Sequence, residues 1–135
     1  MVEFSAPVED MVTIYTSYIR SILEQSCTVW HSNLTVENSE DLERIQKSAI
    51  RIILGDHYTL YEDGLEVLML AKLSERREEL SLNFAKKALK NDLVSDPFPL
   101  DTNRNKDKYK VIHANTDRLK NSAVPYLQRL LNENA

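Results

Sequence analysis

No proline interrupts the chain between Pro7 and Pro97, and glycine occurs only at Gly55 and Gly64. Sheet-rich folds need many tight turns, and tight turns draw on Gly, Pro, Asn and Asp. So long a stretch without proline offers nothing that forces a helix to stop. The expectation is a mainly α chain: a small bundle of four to five helices, with an irregular C-terminal connection where the prolines return. At 135 residues, 42% of them hydrophobic, the chain is the size of one domain and can close a single core.

Apolar spacing places the helices. Val8, Met11, Val12, Tyr15, Tyr18, Ile19, Ile22 and Leu23 recur at three- and four-residue intervals, which predicts a first helix from about Pro7 to Trp30. Residues 33–38 read as a polar connection. A second helix should run from Ser39 to Leu54, with Asn38 or Ser39 as its cap, Leu42, Ile45, Ala49, Ile52 and Ile53 on its apolar face, and Gly55 closing it. The capping-box spacing of Thr59 and Glu62 predicts a short helix over Leu60–Leu68, with a buried strand over LEVLMLA as the alternative. A further helix should span Ser74–Asn91. There Arg77 falls on the apolar face and needs a carboxylate or helix-end carbonyls as partner. Tyr18, Ile22, Ile45, Ile52, Leu80 and Phe84 are the expected shared core.

From Asp92 the character changes. DPFPLDTNRNKDKYK should be a surface connection, KYKVIHANTDRL alternates weakly enough for a small hairpin, and a helix capped by Ser122 should turn Val124, Leu127, Leu130 and Leu131 inward. The expected organisation is a helical bundle over 1–91 and an extension over 92–135 whose last helix packs on it.

One cysteine, Cys27, excludes a disulfide within the chain and fits an intracellular location. No run is apolar enough to suggest a membrane helix. The formal net charge of −4 argues against a free-standing, non-specific nucleic-acid binder. Charge is uneven, though. Residues 1–44 hold eight acids and two bases, net −6; residues 104–120 hold six bases and two acids, net +4. Any polyanion contact would be local.

Catalytic motifs are absent: no G-x-S-x-G, no H-E-x-x-H, no G-x-x-x-x-G-K-[ST]. Cys27 and His31 are four apart and could meet as nucleophile and base or as half a metal site, but a core cysteine and a histidine at the polar end of the helix is the plainer reading. Asp56, His57, Glu62 and Asp63 cluster in sequence, as acids do at helix starts for dipole reasons. No metal or cofactor is expected. Basic residues are the remaining signal. Arg44, Lys47 and Arg51 lie within about 60° of one another around the second helix, opposite its apolar side. Lys86, Lys87 and Lys90 sit near the end of a helix, where cations also suit the dipole. Both groups read either as polyanion contacts or as solvated faces.

Three ordered motifs then carry a resemblance. IYTSYIRSILEQSCTVWHSNLT, with Tyr15 or Tyr18, Ile19, Arg20, Leu23, Glu24 and Trp30, resembles the helix after the palm in reverse transcriptases of non-LTR, LINE-type retrotransposons. LERIQKSAIRIILG, with Leu42, Glu43, Gln46, Ala49, Arg51, Ile53 and Gly55, is similar to the stretch that follows there. LAKLSERREELSLNFAKKAL matches the next element, opened by Glu75, Arg76 and Arg77, and RLKNSAVPYLQRLLNE is like the tail of many such reading frames. The resemblance covers essentially the whole chain.

It implies a thumb region plus C-terminal tail, a helical part that closes over the template–primer duplex. The polymerase chemistry of that family belongs to a palm whose Asp-Asp pair binds two metal ions. This sequence has no Asp-Asp dipeptide, and it lacks the Cys/His zinc cluster some relatives carry. The resemblance therefore implies a non-catalytic piece that begins where the palm would end, with Arg44, Lys47 and Arg51 toward the duplex backbone. A thumb without its palm should also leave apolar surface near Val8, Met11 and Tyr15, and so form a homodimer through the first helix.

Overall fold

The computed structural model describes residues 6–101 and 108–135. The protein is mainly helical. The helices are α1 (Val8–Ile14), α2 (Arg20–Leu23), α3 (Cys27–Trp30), α4 (Val36–Leu54), α5 (Tyr61–Val67), α6 (Leu73–Leu89), α7 (Asp117–Lys120) and α8 (Ala123–Glu133). Eight α-helices among the described residues exceed the expected four to five, because the predicted first helix is broken and a short α7 is added. A π-helical turn over Tyr15–Ile19 joins α1 to α2, and Ser26, at φ 54° and ψ 26°, separates α2 from α3.

The chain forms two compact units, divided elsewhere than between residues 91 and 92. One unit ends at Gln25 and resumes over Thr35–Arg76; the other takes Ser26–Leu34 and continues from Arg77. The long helix α6 gives its first turn to the first unit and its remainder to the second. Neither proline nor glycine marks any of the three crossings, which is why the sequence suggests a boundary at the prolines instead.

In the first unit, Tyr15, Ile50, Ile53, Leu65 and Leu68 form the core, with Met11, Val12, Ala49 and Leu54 against it. The faces are rotated from those expected. Tyr18 is 70% exposed, Ile22 71% and Ile52 70%, and Ile45 is also exposed. On the first helix the π turn adds a residue to the loop of the hydrogen-bonded ladder, so residues after Tyr15 slip out of phase with it. On α4 the inward position belongs to Gln46, fully buried, rather than to Ile45. Tyr15, expected on an open dimer face, is buried in the core of the first unit.

Thr35 caps α4, its Oγ1 accepting from the Asn38 N–H at 3.1 Å. The cap therefore falls earlier than Asn38 or Ser39, inside the stretch expected to be a connection. Gly55 closes α4 at φ 52° and ψ −122°, a backbone that side-chain-bearing residues avoid. The segment 61–67 is helical, not a strand, but its Thr59 hydroxyl bonds the Asp63 carboxylate instead of forming a capping box.

In the second unit, Ala85, Ala88, Phe98, Leu127 and Leu131 form the core, with Leu82, Leu89, Tyr109 and Tyr126 packed on it. Phe84, expected inside, is 48% exposed. Segment 108–112 does not fold back on itself as a hairpin. It runs antiparallel to 99–101, where Leu100 and Tyr109 form an isolated bridge and the Lys110 N–H donates to the Pro99 carbonyl. Two amides on α8 grip this ribbon. Asn132 both accepts from the Tyr109 N–H and donates to its carbonyl, at 2.7 and 2.9 Å. Gln128 accepts from the Ile112 N–H at 2.9 Å and donates to the Pro97 carbonyl at 2.5 Å.

Candidate functional site

On α4 the buried side is set by Gln46, Ile50 and Ile53. At 100° per residue, Arg44, Lys47 and Arg51 project from the opposite side, and all three are exposed. At 1.5 Å per residue the row is roughly 10 Å long. Its members are held differently. The Arg44 Nη1 donates to the Asp41 carboxylate at 2.5 Å, one turn back, in an ion pair open to solvent. The Arg51 guanidinium lies over the Tyr58 ring, 5.1 Å from its centroid. Glu37, Glu40 and Asp41 share the earlier turns of the same helix, so the row is basic only over its C-terminal half.

A second group, Lys86, Lys87 and Lys90, is exposed at the end of α6, where all three favour the negative helix terminus.

The residues that carry the family resemblance do other work. In the first unit, the Tyr15 hydroxyl donates to Gln46 Oε1 at 2.7 Å, while Gln46 Nε2 donates to the Tyr61 hydroxyl at 3.0 Å and to the Ala71 carbonyl at 2.9 Å. The Tyr61 hydroxyl donates in turn to the Glu43 carboxylate, which also accepts from the Leu73 N–H at 3.2 Å. Glu43 therefore caps α6 from another helix. Burial pushes the Tyr15 hydroxyl up to about 12 and raises Tyr61 as well, the latter assisted by its bond to Glu43. The Glu24 carboxylate takes a forked bond from Arg76, Nε and Nη2, and has Arg20 beside it at 3.9 Å. Glu24, Glu43, Gln46 and Arg76 thus hold the first unit together. Sequence reading missed the network; its signal was two tyrosines and a glutamine at helical spacing to apolar residues.

In the second unit Arg77 is 1% exposed, as its position on the apolar face requires. Its Nε donates to the Nδ1 of His31 at 3.4 Å, a partner the sequence did not suggest. His31 also meets Tyr126 edge-to-face at 5.6 Å. Burial, and then the Arg77 charge, hold the His31 pKa below its ordinary 6.5, with Glu78 opposing. His31 is therefore half-buried in packing rather than at a wet helix end, and Cys27 is buried. Asp56 and His57 lie in a 3₁₀ turn ahead of α5, and Glu62 and Asp63 in its first turn. Among the described residues no group of three His, Cys, Asp or Glu is placed to hold a metal ion, and no helix is long and apolar enough to cross a membrane.

The remaining surface feature is apolar. Ile14, Tyr18, Ile19 and Ile22 are exposed along the first helical stretch, and Ile45 and Ile52 along α4. Between them opens a shallow groove of about 190 Å³, lined by Met11, Ile14, Tyr15, Ile19, Ala49, Ile52 and Ile53. No family model, curated protein or solved structure matches this chain.

Proposed function

We propose that this chain is a non-catalytic helical part of the reverse-transcriptase thumb type, which touches the backbone of a template–primer duplex through Arg44, Lys47 and Arg51 when joined to a palm. The observation that carries this reading is the row itself: three exposed cations on one side of one helix, opposite its buried side. Phosphate contacts of this kind position a duplex without reading its sequence. The three ordered motifs add to it, and the exposed apolar strip is the surface a thumb would turn to the rest of its polymerase. The acidic balance keeps binding weak for the piece alone, on the order of 10⁻⁴ to 10⁻⁶ M, as is typical of non-specific contact.

A duplex-binding titration across salt concentrations tests it. Each phosphate contact that releases counterions contributes about 0.9 to the slope of log K against log salt. Replacing Arg44, Lys47 and Arg51 together by Gln should flatten that slope by two to three units without changing sequence preference. An unchanged slope would assign the row to solvation alone.

One observation favours a second reading, a self-associating interaction module. Tyr18 and Ile22 are each about 70% exposed on one continuous strip, and contiguous apolar surface usually marks an interface.

A further inference from the structure

The three cations of the row are not equivalent, and the difference lies in what each guanidinium has left to give. Arg44 has spent a donor on Asp41, whose negative charge beside the guanidinium opposes the approach of a phosphate. The Arg51 guanidinium carbon lies over the Tyr58 ring, 5.1 Å from its centroid, and a ring offers no carboxylate to occupy its donors. A guanidinium held over an aromatic ring makes a cation–π contact, which leaves most of its five N–H groups for other acceptors. The contact also restricts the side chain before any ligand arrives, which lowers the ordering cost of binding.

The chain builds this arrangement. Gly55 turns α4 into the 3₁₀ turn over Gly55–His57, and the Tyr58 N–H closes that turn on the Gly55 carbonyl at 3.2 Å. The turn returns the chain so that Tyr58, seven residues after Arg51, comes beneath it. Tyr58 is half-buried and packs against the core of the first unit. The ring is thus a fixed platform, not a second mobile side chain.

Resting on the duplex-contact reading above, we infer that Tyr58 is a positioning residue that makes Arg51 the principal phosphate donor of the row, while Asp41 withholds Arg44. Tyr58 need not touch the nucleic acid. Its role is to present the Arg51 fork, ready ordered, to a phosphate.

The test is the same salt titration on a short duplex, with thermal melting followed in parallel. Tyr58→Leu keeps apolar bulk on the core and removes the ring face; Tyr58→Phe keeps the face. Tyr58→Leu should flatten the slope by about one unit, as Arg51→Gln does, with duplex affinity falling several-fold. Tyr58→Phe should restore the original slope. Asp41→Asn should steepen the slope by up to one unit, and should lose that effect when Arg44→Gln is added. Glu40→Gln removes an equal charge from the same helix and should not reproduce it. A folded Tyr58→Leu protein with an unchanged slope overturns the inference, as does Glu40→Gln matching Asp41→Asn. If the Tyr58→Leu protein fails to melt cooperatively, the Tyr58→Phe and Asp41→Asn pair decides alone. A triple Gln variant that leaves the slope unchanged sinks the underlying reading instead, so the two failures are separable.

Discussion

Gln46 shows how much one polar residue can decide. Its amide serves Tyr15, Tyr61 and the Ala71 carbonyl from a fully buried position. A leucine there would leave the Tyr15 hydroxyl without its acceptor, and burying an unmatched polar group costs more than the bond itself is worth. Gln46→Leu should lower stability by about 2 kcal/mol in chemical denaturation, and adding Tyr15→Phe should recover part of that loss. His31 offers a second test at this scale. The groups facing it are Arg77 and Glu78 of α6 and Tyr126 of α8. Its pKa is lowered in the fold, so the ring must stay neutral to accept from Arg77. Its contribution to stability is fully present above 6.5 and is lost as pH falls through the window below that value. Melting temperature should therefore fall as pH is taken below about 6.5, and His31→Asn should remove much of that dependence.

At the scale of elements, the position of most helices is legible in the sequence and their rotation is not. Periodicity places α4, α5, α6 and α8 to within a few residues, because apolar spacing reports that a helix exists. It does not report phase. The π turn at Tyr15–Ile19 has neither proline nor glycine to announce it, and a glutamine as the inward residue of α4 inverts the usual polarity rule. The basic row was legible because charge on a solvated side depends on spacing alone. The break at Ser26 was hidden for another reason: a serine in the left-handed region looks in sequence like any helical serine. Gly64 supplies the prediction here. A Cβ at that position would lie 2.5 Å from the Ile50 Cγ2. Alanine is favoured over glycine in a helix by about 1 kcal/mol, yet overpacking of a core typically costs about 1–3 kcal/mol. Gly64→Ala should therefore destabilise on balance, and Ile50→Ala, which removes the clashing Cγ2 itself, should make the added cost of Gly64→Ala smaller in a double-mutant cycle followed by thermal melting.

For the molecule as a whole, what stands out is an apolar strip and a basic row on the same first unit. Ile22 is 71% exposed, so Ile22→Lys should change folding stability by no more than about 0.5 kcal/mol. If the strip drives self-association, sedimentation should show a dimer that this substitution dissolves. A clean monomer of the unsubstituted chain at high concentration would count against that reading.

The grip of α8 on the ribbon has a consequence for how this chain can change over time. Gln128 and Asn132 hold main-chain groups of residues 97, 109 and 112, not side chains. Apart from Phe98 and Tyr109, whose side chains pack in or against the core of the second unit, a ribbon fastened by its peptide groups is indifferent to the side chains it carries. Ile112 is already 45% exposed, and its place should accept nearly any residue that keeps an N–H. Proline alone is barred, since it has none to give. Drift in the tail's sequence is thus cheap while the two amides of α8 stay put. A lineage of such chains should show a wandering ribbon beside a steady Gln-x-x-x-Asn on its last helix.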